Sequence, residues 1–200
     1  MLVFWDQKLI LLSVPKTGTT ALEGALTPHA DLIFRNPPTL KHAPVQRFRR
    51  FLKPMMIQGG GAKEEELRTV AAIRHPMDWL SSWYRYRFRD EIVGYKRSTR
   101  NYSFDEFVVE YLKGQPAPFA NVGAQAKFLL DGDGNLGVDY LFRYESGRLQ
   151  PWLENQLSIK VDLNQRNVSP KFETPLSPNI EAKLRRKFDA DFALWEAAIS

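Results

Sequence analysis

Two hundred residues, 44% hydrophobic and 26% charged, suffice for one domain with a substantial apolar core, and they lack the sparse hydrophobicity of a disordered chain. Lysine and arginine outnumber aspartate and glutamate by 28 to 23, and much of the surplus gathers in arginine-rich stretches between residues 47 and 100, so an anionic partner is expected. The absence of cysteine excludes a disulfide framework, a thiolate nucleophile and a cysteine metal site. No apolar run approaches a membrane span and residues 1–8 carry no leader pattern, which makes a cytoplasmic protein the expectation.

In chain order, Leu2 to Trp5 reads as a short strand, Asp6 to Lys8 as a turn, and Leu9 to Val14 as a strand buried on both faces. Pro15 to Thr20 interrupts the apolar run, and Ala21 to Leu26 has the composition of a short helix. Residues 28–54 are broken by prolines and read as irregular, with Gly59 to Gly61 as a flexible connection. Thr69 to Ile73 is a second buried strand. A helix follows from Pro76, with Asp78 in its first turn and Trp79, Leu80, Trp83, Tyr84, Tyr86 and Phe88 on a wide apolar face.

Ser103 to Glu106 has the capping-box pattern and opens a helix to about Lys113. A further helix is expected over Ala124 to Leu130, a turn at residues 131–134, a strand over Val138 to Tyr144 and a helix over Leu149 to Leu157. Ser177 and Pro178 are placed to cap and start a last helical region, Asn179 to Ala198. Strands alternating with helices predict a single three-layer α/β domain around a mainly parallel sheet.

In such sheets ligands bind where strands lead into helix N-termini. Ser13 to Thr20 lies at such a place. Gly18 lets backbone approach an anion, the following amides and the helix dipole favour negative charge, Lys16 adds a full charge, and Thr17, Thr19 and Thr20 add hydroxyls. The order differs from the Walker A loop, which has an earlier glycine and places its lysine after the second one. A nucleoside triphosphatase commonly sets an aspartate at a strand end to help hold magnesium, whereas the second strand here runs into Arg74. A cation there favours an anionic group over a metal. Sulfuryl transfer fits this chemistry, since fixed cationic donors can meet the charge that accumulates on a departing phosphate.

Pro15-Lys16-Thr17-Gly18-Thr19-Thr20-Ala21-Leu22 resembles the 5′-phosphosulfate loop of the sulfotransferase family, and Arg74 with Ser82 resembles that family's pair for the cofactor's 3′-phosphate. The resemblance implies a P-loop-like sulfotransferase fold, 3′-phosphoadenosine 5′-phosphosulfate as donor, adenosine 3′,5′-bisphosphate as product and no metal. Pro15, Lys16, Thr17, Gly18, Thr19, Thr20, Arg74 and Ser82 would bind the donor, and Lys16 would also stabilise the leaving phosphate. Leu40 to Pro44 resembles the lysine-histidine stretch of carbohydrate-type members, which nominates His42 as the base for a hydroxyl or amine acceptor. The acceptor could be a small molecule or a carbohydrate, including an anionic one.

His75 reads as a shaper of the turn that aims Arg74, and His29 as a capping or surface residue. Asn167 to Lys171 resembles a late loop that approaches the nucleotide, but it reads more readily as a proline-punctuated surface loop, and its motif is too weak to place Ser169 or Lys171 with Lys16 and Arg74 as phosphate contacts. Arg47 to Arg50, Arg85 to Arg89 and Lys96 to Arg100 could line an acceptor cleft or form a solvated surface, and no nucleic-acid motif accompanies them. Two other classes stay open: a catalytically silent nucleotide- or anion-binding module, and an ATP-dependent kinase-like enzyme.

Overall fold

The computed structural model describes residues 1–163 and 172–200. Its centre is a five-stranded sheet of β1 (Leu2–Phe4), β2 (Leu9–Leu11), β3 (Leu32–Ile33), β4 (Arg68–Ile73) and β5 (Tyr140–Arg143), in the order β3-β1-β2-β4-β5. The pairs β2/β4 and β4/β5 are parallel, while β1 pairs antiparallel with both β2 and β3. The sheet is therefore mixed rather than mainly parallel. A tight turn at residues 5–8, closed by Lys8 N–H to Trp5 O at 3.1 Å, can only return the chain antiparallel, and the two-residue β3 adds a second antiparallel edge.

Helices cover both faces: α1 (Thr19–Leu26), α2 (Pro38–Lys41), α3 (Val45–Arg47), α4 (Lys53–Gln58), α5 (Pro76–Arg87), α6 (Phe104–Tyr111), α7 (Ala126–Leu129), α8 (Leu149–Leu157), α9 (Pro178–Lys187) and α10 (Asp189–Ala197). Because successive strand side chains point to opposite faces, Ile10, Ala71, Ile73 and Leu141 pack with Val45, Phe48, Met56 and Leu129 on one side. On the other, Leu9, Leu11, Val70, Ala72 and Phe142 meet Leu22 and Leu26 of α1 and Leu149, Leu153 and Leu157 of α8. A third core joins α5, α6, α9 and α10 through Trp79, Tyr84, Phe107, Leu184 and Phe192. Phe107 is fully buried there, and Phe107→Ala would cost about 3–5 kcal/mol through lost transfer energy and the cavity left behind. Among the described residues no helix is long and apolar enough to cross a membrane.

Several segments differ from the sequence expectation, each for a local reason. The apolar run continues to Val14, but pairing as β2 ends at Leu11; Leu12, Ser13 and Val14 stay buried because the loop itself packs into the core. Residues 28–54 are not irregular. Pro38 sits in a first turn and Pro44 at an N-cap, where a missing N–H costs nothing, and Pro54 lies in the continuous helical run 45–58 just after its π-helical stretch Phe48–Leu52, so these prolines do not break the segment. Gly59 to Gly61 ends α4, with Gly61 in the left-handed region and Gly60 so close to Trp5 that a Cβ would come within 2.4 Å of its ring.

The last helical region is two helices parted at Phe188, whose ring stacks on Tyr111 at 4.5 Å. Ser177 holds the N-cap position but its hydroxyl donates to Asp105 and does not cap α9. The capping box at Ser103 and Glu106 is present in both directions.

Candidate functional site

Strands β2 and β4 run parallel and adjacent, so the chain leaves both at the same edge of the sheet. Residues 12–18 leave β2 as a loop fixed from inside. Leu12 N–H donates to Val70 O at 2.9 Å, the buried Thr17 hydroxyl donates to Val14 O at 2.9 Å, and Trp79 Nε1–H of α5 donates to Pro15 O at 2.8 Å. Thr17 and Pro15 thus hold the loop's shape rather than offer side-chain donors.

Lys16 and Gly18 both take left-handed backbone, at φ 67° and 73°. For Gly18 this is cheap, and a Cβ at that position would meet Tyr144 Cε2 at 2.8 Å, so the close approach of that ring requires glycine. For Lys16 the conformation costs about 1–2 kcal/mol, held in place by the bonds around it. Gly18 is also the N-cap of α1 and supplies no side-chain cap. Pro15 and Lys16 form a tight turn that brings Thr17 back to Val14, and Thr17 is fully buried, whereas the N–H groups of Gly18, Thr19 and Thr20 find no acceptor among the described residues. Three free donors at the positive helix end make this a place where negative charge would be favoured. Thr19 is buried and Thr20 exposed at the start of the helix.

Lys16 extends over the Tyr86 ring at 4.3 Å and lies 5.7 Å from the Trp83 ring. Burial, and after it the like charges of Arg89, Arg74 and Arg85, push its ammonium down from 10.5 to about 8. No carboxylate within the described residues pairs with Lys16 or Arg74.

Arg74 leaves the end of β4 toward the same loop. Its Nη1 donates to Lys16 O at 3.3 Å, its guanidinium lies 5.0 Å from the centre of the half-exposed Tyr144 ring, and its buried Nε finds no acceptor among the described residues. Lys16 and Arg74, predicted as parts of one site, are brought together. Ser82 is buried on α5, three residues from Trp79 and four from Tyr86, hence on the stripe that faces the loop; no hydrogen bond links it to Arg74.

His42 follows α2 and its Nδ1 lies 2.7 Å from Ser13 O. A carbonyl only accepts, so the proton sits on Nδ1 and Nε2 is left as an acceptor. Burial, more than any other influence, lowers the pKa of this ring and keeps it neutral. Its neighbour Lys41 pairs with Glu23 of α1 at 2.6 Å, and Arg35 pairs with the same carboxylate at 2.6 Å, tying residues 35–42 to the helix that follows the loop.

The chain matches no family model, no curated protein and no solved structure.

His75 has the structural role its sequence setting indicates. It is the N-cap residue of α5, its N–H donates to Glu145 Oε1 at 2.7 Å, and its ring stands edge-on to Trp195 at 4.7 Å. His29 is exposed at the end of a 3₁₀ turn. Asn167, Val168, Ser169, Pro170 and Lys171 lie outside the described residues.

The aromatic face of α5 divides in two: Trp79, Leu80 and Tyr84 enter the helical core, while Trp83 and Tyr86 wall the Lys16 side chain. The basic stretches do not form one cleft. Arg47 donates to Thr39 O at 2.8 Å, Arg49 pairs with Asp131 at 2.9 Å, and Arg87 donates to Pro118 O and Asn121 O, each at 2.8 Å. Arg97 and Arg100 are exposed beyond α5. A separate polar cavity of about 150 Å³, bordered by Arg49, Lys53, Glu64, Thr69 and Asp139, lies at the opposite ends of β4 and β5. Among the described residues no group of three or more His, Cys, Asp or Glu side chains is placed to hold a metal ion.

Sequence reasoning missed Tyr144, Gln125 and Glu145. Tyr144 and Glu145 follow β5 directly, and the rule that sites form beyond strand ends, applied to the third parallel strand as to the first two, would have singled them out.

Proposed function

We propose that the chain is a sulfotransferase that moves a sulfuryl group from 3′-phosphoadenosine 5′-phosphosulfate to a hydroxyl or amine. The observation that carries this reading is the meeting of two cations without a carboxylate partner, Lys16 after β2 and Arg74 after β4, beside three unpartnered amides. Facing cations destabilise a fold unless an anion joins them. A donor with a 5′-phosphosulfate and a 3′-phosphate supplies negative charge at two places, which suits two adjacent cationic positions better than a single phosphate would.

In this reading the amides of Gly18 to Thr20 and Lys16 take the 5′ end, and Arg74 with Ser82 takes the 3′-phosphate. The acceptor oxygen or nitrogen attacks sulfur in line with the bridging oxygen. The new bond to sulfur forms as the S–O bond to the 5′-phosphate breaks, and the electron pair leaves on adenosine 3′,5′-bisphosphate. Lys16 donates hydrogen bonds to the oxygen that gains this charge. The acceptor proton passes to His42 Nε2, which the Nδ1 bond to Ser13 O leaves free to receive it.

Incubation with donor labelled in the sulfuryl group and a panel of hydroxyl and amine acceptors tests the proposal. Label transfer by the natural chain, lost in Lys16→Ala and slowed in His42→Ala, is the expected result. Transfer that persists unchanged in Lys16→Ala would remove the proposed mechanism.

A further inference from the structure

Arg74 can serve a ligand only if the backbone that carries it is fixed where β4 ends, one residue beyond the last strand position at Ile73. There the sheet ladder no longer supplies partners. The side-chain amide of Gln125, 51 residues away and fully buried, takes their place: Arg74 N–H donates to Gln125 Oε1 at 2.9 Å, and Gln125 Nε2–H donates to Arg74 O at 2.7 Å. One planar amide therefore satisfies both backbone groups of a single residue, as a neighbouring strand would. The pairing also fixes which end of the amide is oxygen.

Gln125 is itself held from the far side of the molecule. It immediately precedes α7, and Asp191 of α10, buried at 4% exposure, accepts the next amide, Ala126 N–H, at 3.0 Å. Burial pushes the Asp191 carboxyl up to about 6, a cost the fold sustains at this junction while backbone hydrogen bonds offset part of it. Helix α10 reaches the same corner a second time, since Trp195 Nε1–H donates at 3.2 Å to Glu145, whose other oxygen holds His75 N–H.

We infer that Gln125 is a positioning residue for anion recognition, clasping the Arg74 backbone so that its guanidinium is aimed at the 3′-phosphate of the nucleotide. The inference rests on the donor-binding reading above. Gln125 touches no ligand itself. It acts through Arg74, so its contribution should vanish when the Arg74 side chain is removed.

The test is a double-mutant cycle read by calorimetry with adenosine 3′,5′-bisphosphate and with adenosine 5′-monophosphate, which differ by the 3′-phosphate alone. Gln125→Met, close in volume but without hydrogen bonds, should weaken the bisphosphate at least tenfold and the monophosphate less than twofold. In an Arg74→Ala background the same change should have less than a twofold effect on either. Equal loss for both nucleotides, or an undiminished loss without the arginine, overturns the clasp.

If Arg74→Ala weakens the bisphosphate but Gln125→Met does not, the clasp fails and the donor reading stands. If neither variant weakens it, both fail together. Should Gln125→Met not fold, as judged by circular dichroism, Gln125→Asn replaces it. That variant stays neutral but is one methylene too short to hold both Arg74 backbone groups, and the same outcomes decide.

Discussion

Two sets of basic side chains in this protein differ in what they face. Arg47, Arg49 and Arg87 end on carbonyls or a carboxylate supplied by the chain itself: Thr39 O, Asp131, and the Pro118 and Asn121 carbonyls. Lys16 instead lies against the Trp83 and Tyr86 rings, and Arg74 spends one donor on Lys16 O while its buried Nε finds no acceptor among the described residues, beside a row of unused amides. The first set is satisfied by folding. The second is not, and it sits where two parallel strands end, in a loop whose lysine takes a costly backbone conformation. The contrast teaches that abundance of basic residues says little about a partner, whereas buried basic groups left with unused donors and no carboxylate say more.

The largest expected effect is on turnover. Lys16→Ala should lower it about 10²–10³-fold, as loss of a donor to a developing charge does, while raising the melting temperature by relieving like-charge repulsion. An Arg74→Ala variant should weaken adenosine 3′,5′-bisphosphate about 10–100-fold, the size of a lost charge-assisted contact, and equilibrium titration checks it. The opposite set should behave in reverse. Arg87→Ala removes two hydrogen bonds to exposed carbonyls, which water re-solvates, and should cost about 1 kcal/mol of stability in a urea melt, with nucleotide affinity within twofold of the natural chain. An Arg87→Ala protein as stable as the parent would erase the distinction.

The smallest effect is a pH dependence. Only protonated Lys16 attracts an anion, and its pKa in the free protein is pushed down to about 8, so affinity for the bisphosphate should be flat between about pH 7, above the second ionisation of its phosphates, and that value, and fall up to tenfold per unit above it. The stability of the free protein should move the other way. Its folded-state value of about 8 lies below the ordinary 10.5, so between those values the unfolded chain binds more protons and stability rises with pH. Thermal melts at pH 7.5 and 9.5, with and without nucleotide, read both signs, after subtracting the same series for Lys16→Ala.

The parts of this account that sequence revealed are those fixed by near neighbours. The strands β1 and β2 with the turn between them, the capping box at Ser103, the bounds of α8 and the loop from Pro15 to Thr20 depend on residues a few positions apart. The site's supports do not. Trp79 reaches Pro15 across 64 residues, Gln125 reaches Arg74 across 51, and Glu145 reaches His75 across 70. Nothing in the local pattern around Gln125 separates it from a surface glutamine. The prolines of residues 28–54 were misleading for a related reason: whether proline breaks or starts a helix depends on which turn it occupies, and only the folded chain fixes that.

The most direct measurement is a calorimetric titration of the metal-free protein with adenosine 3′,5′-bisphosphate, set beside adenosine 5′-monophosphate and ATP with magnesium. Two adjacent cationic positions predict that the bisphosphate binds at least tenfold tighter than the monophosphate and needs no magnesium, and that Arg74→Ala removes the preference. Equal affinity for the bisphosphate and the monophosphate, or tight ATP binding that depends on magnesium, would contradict it.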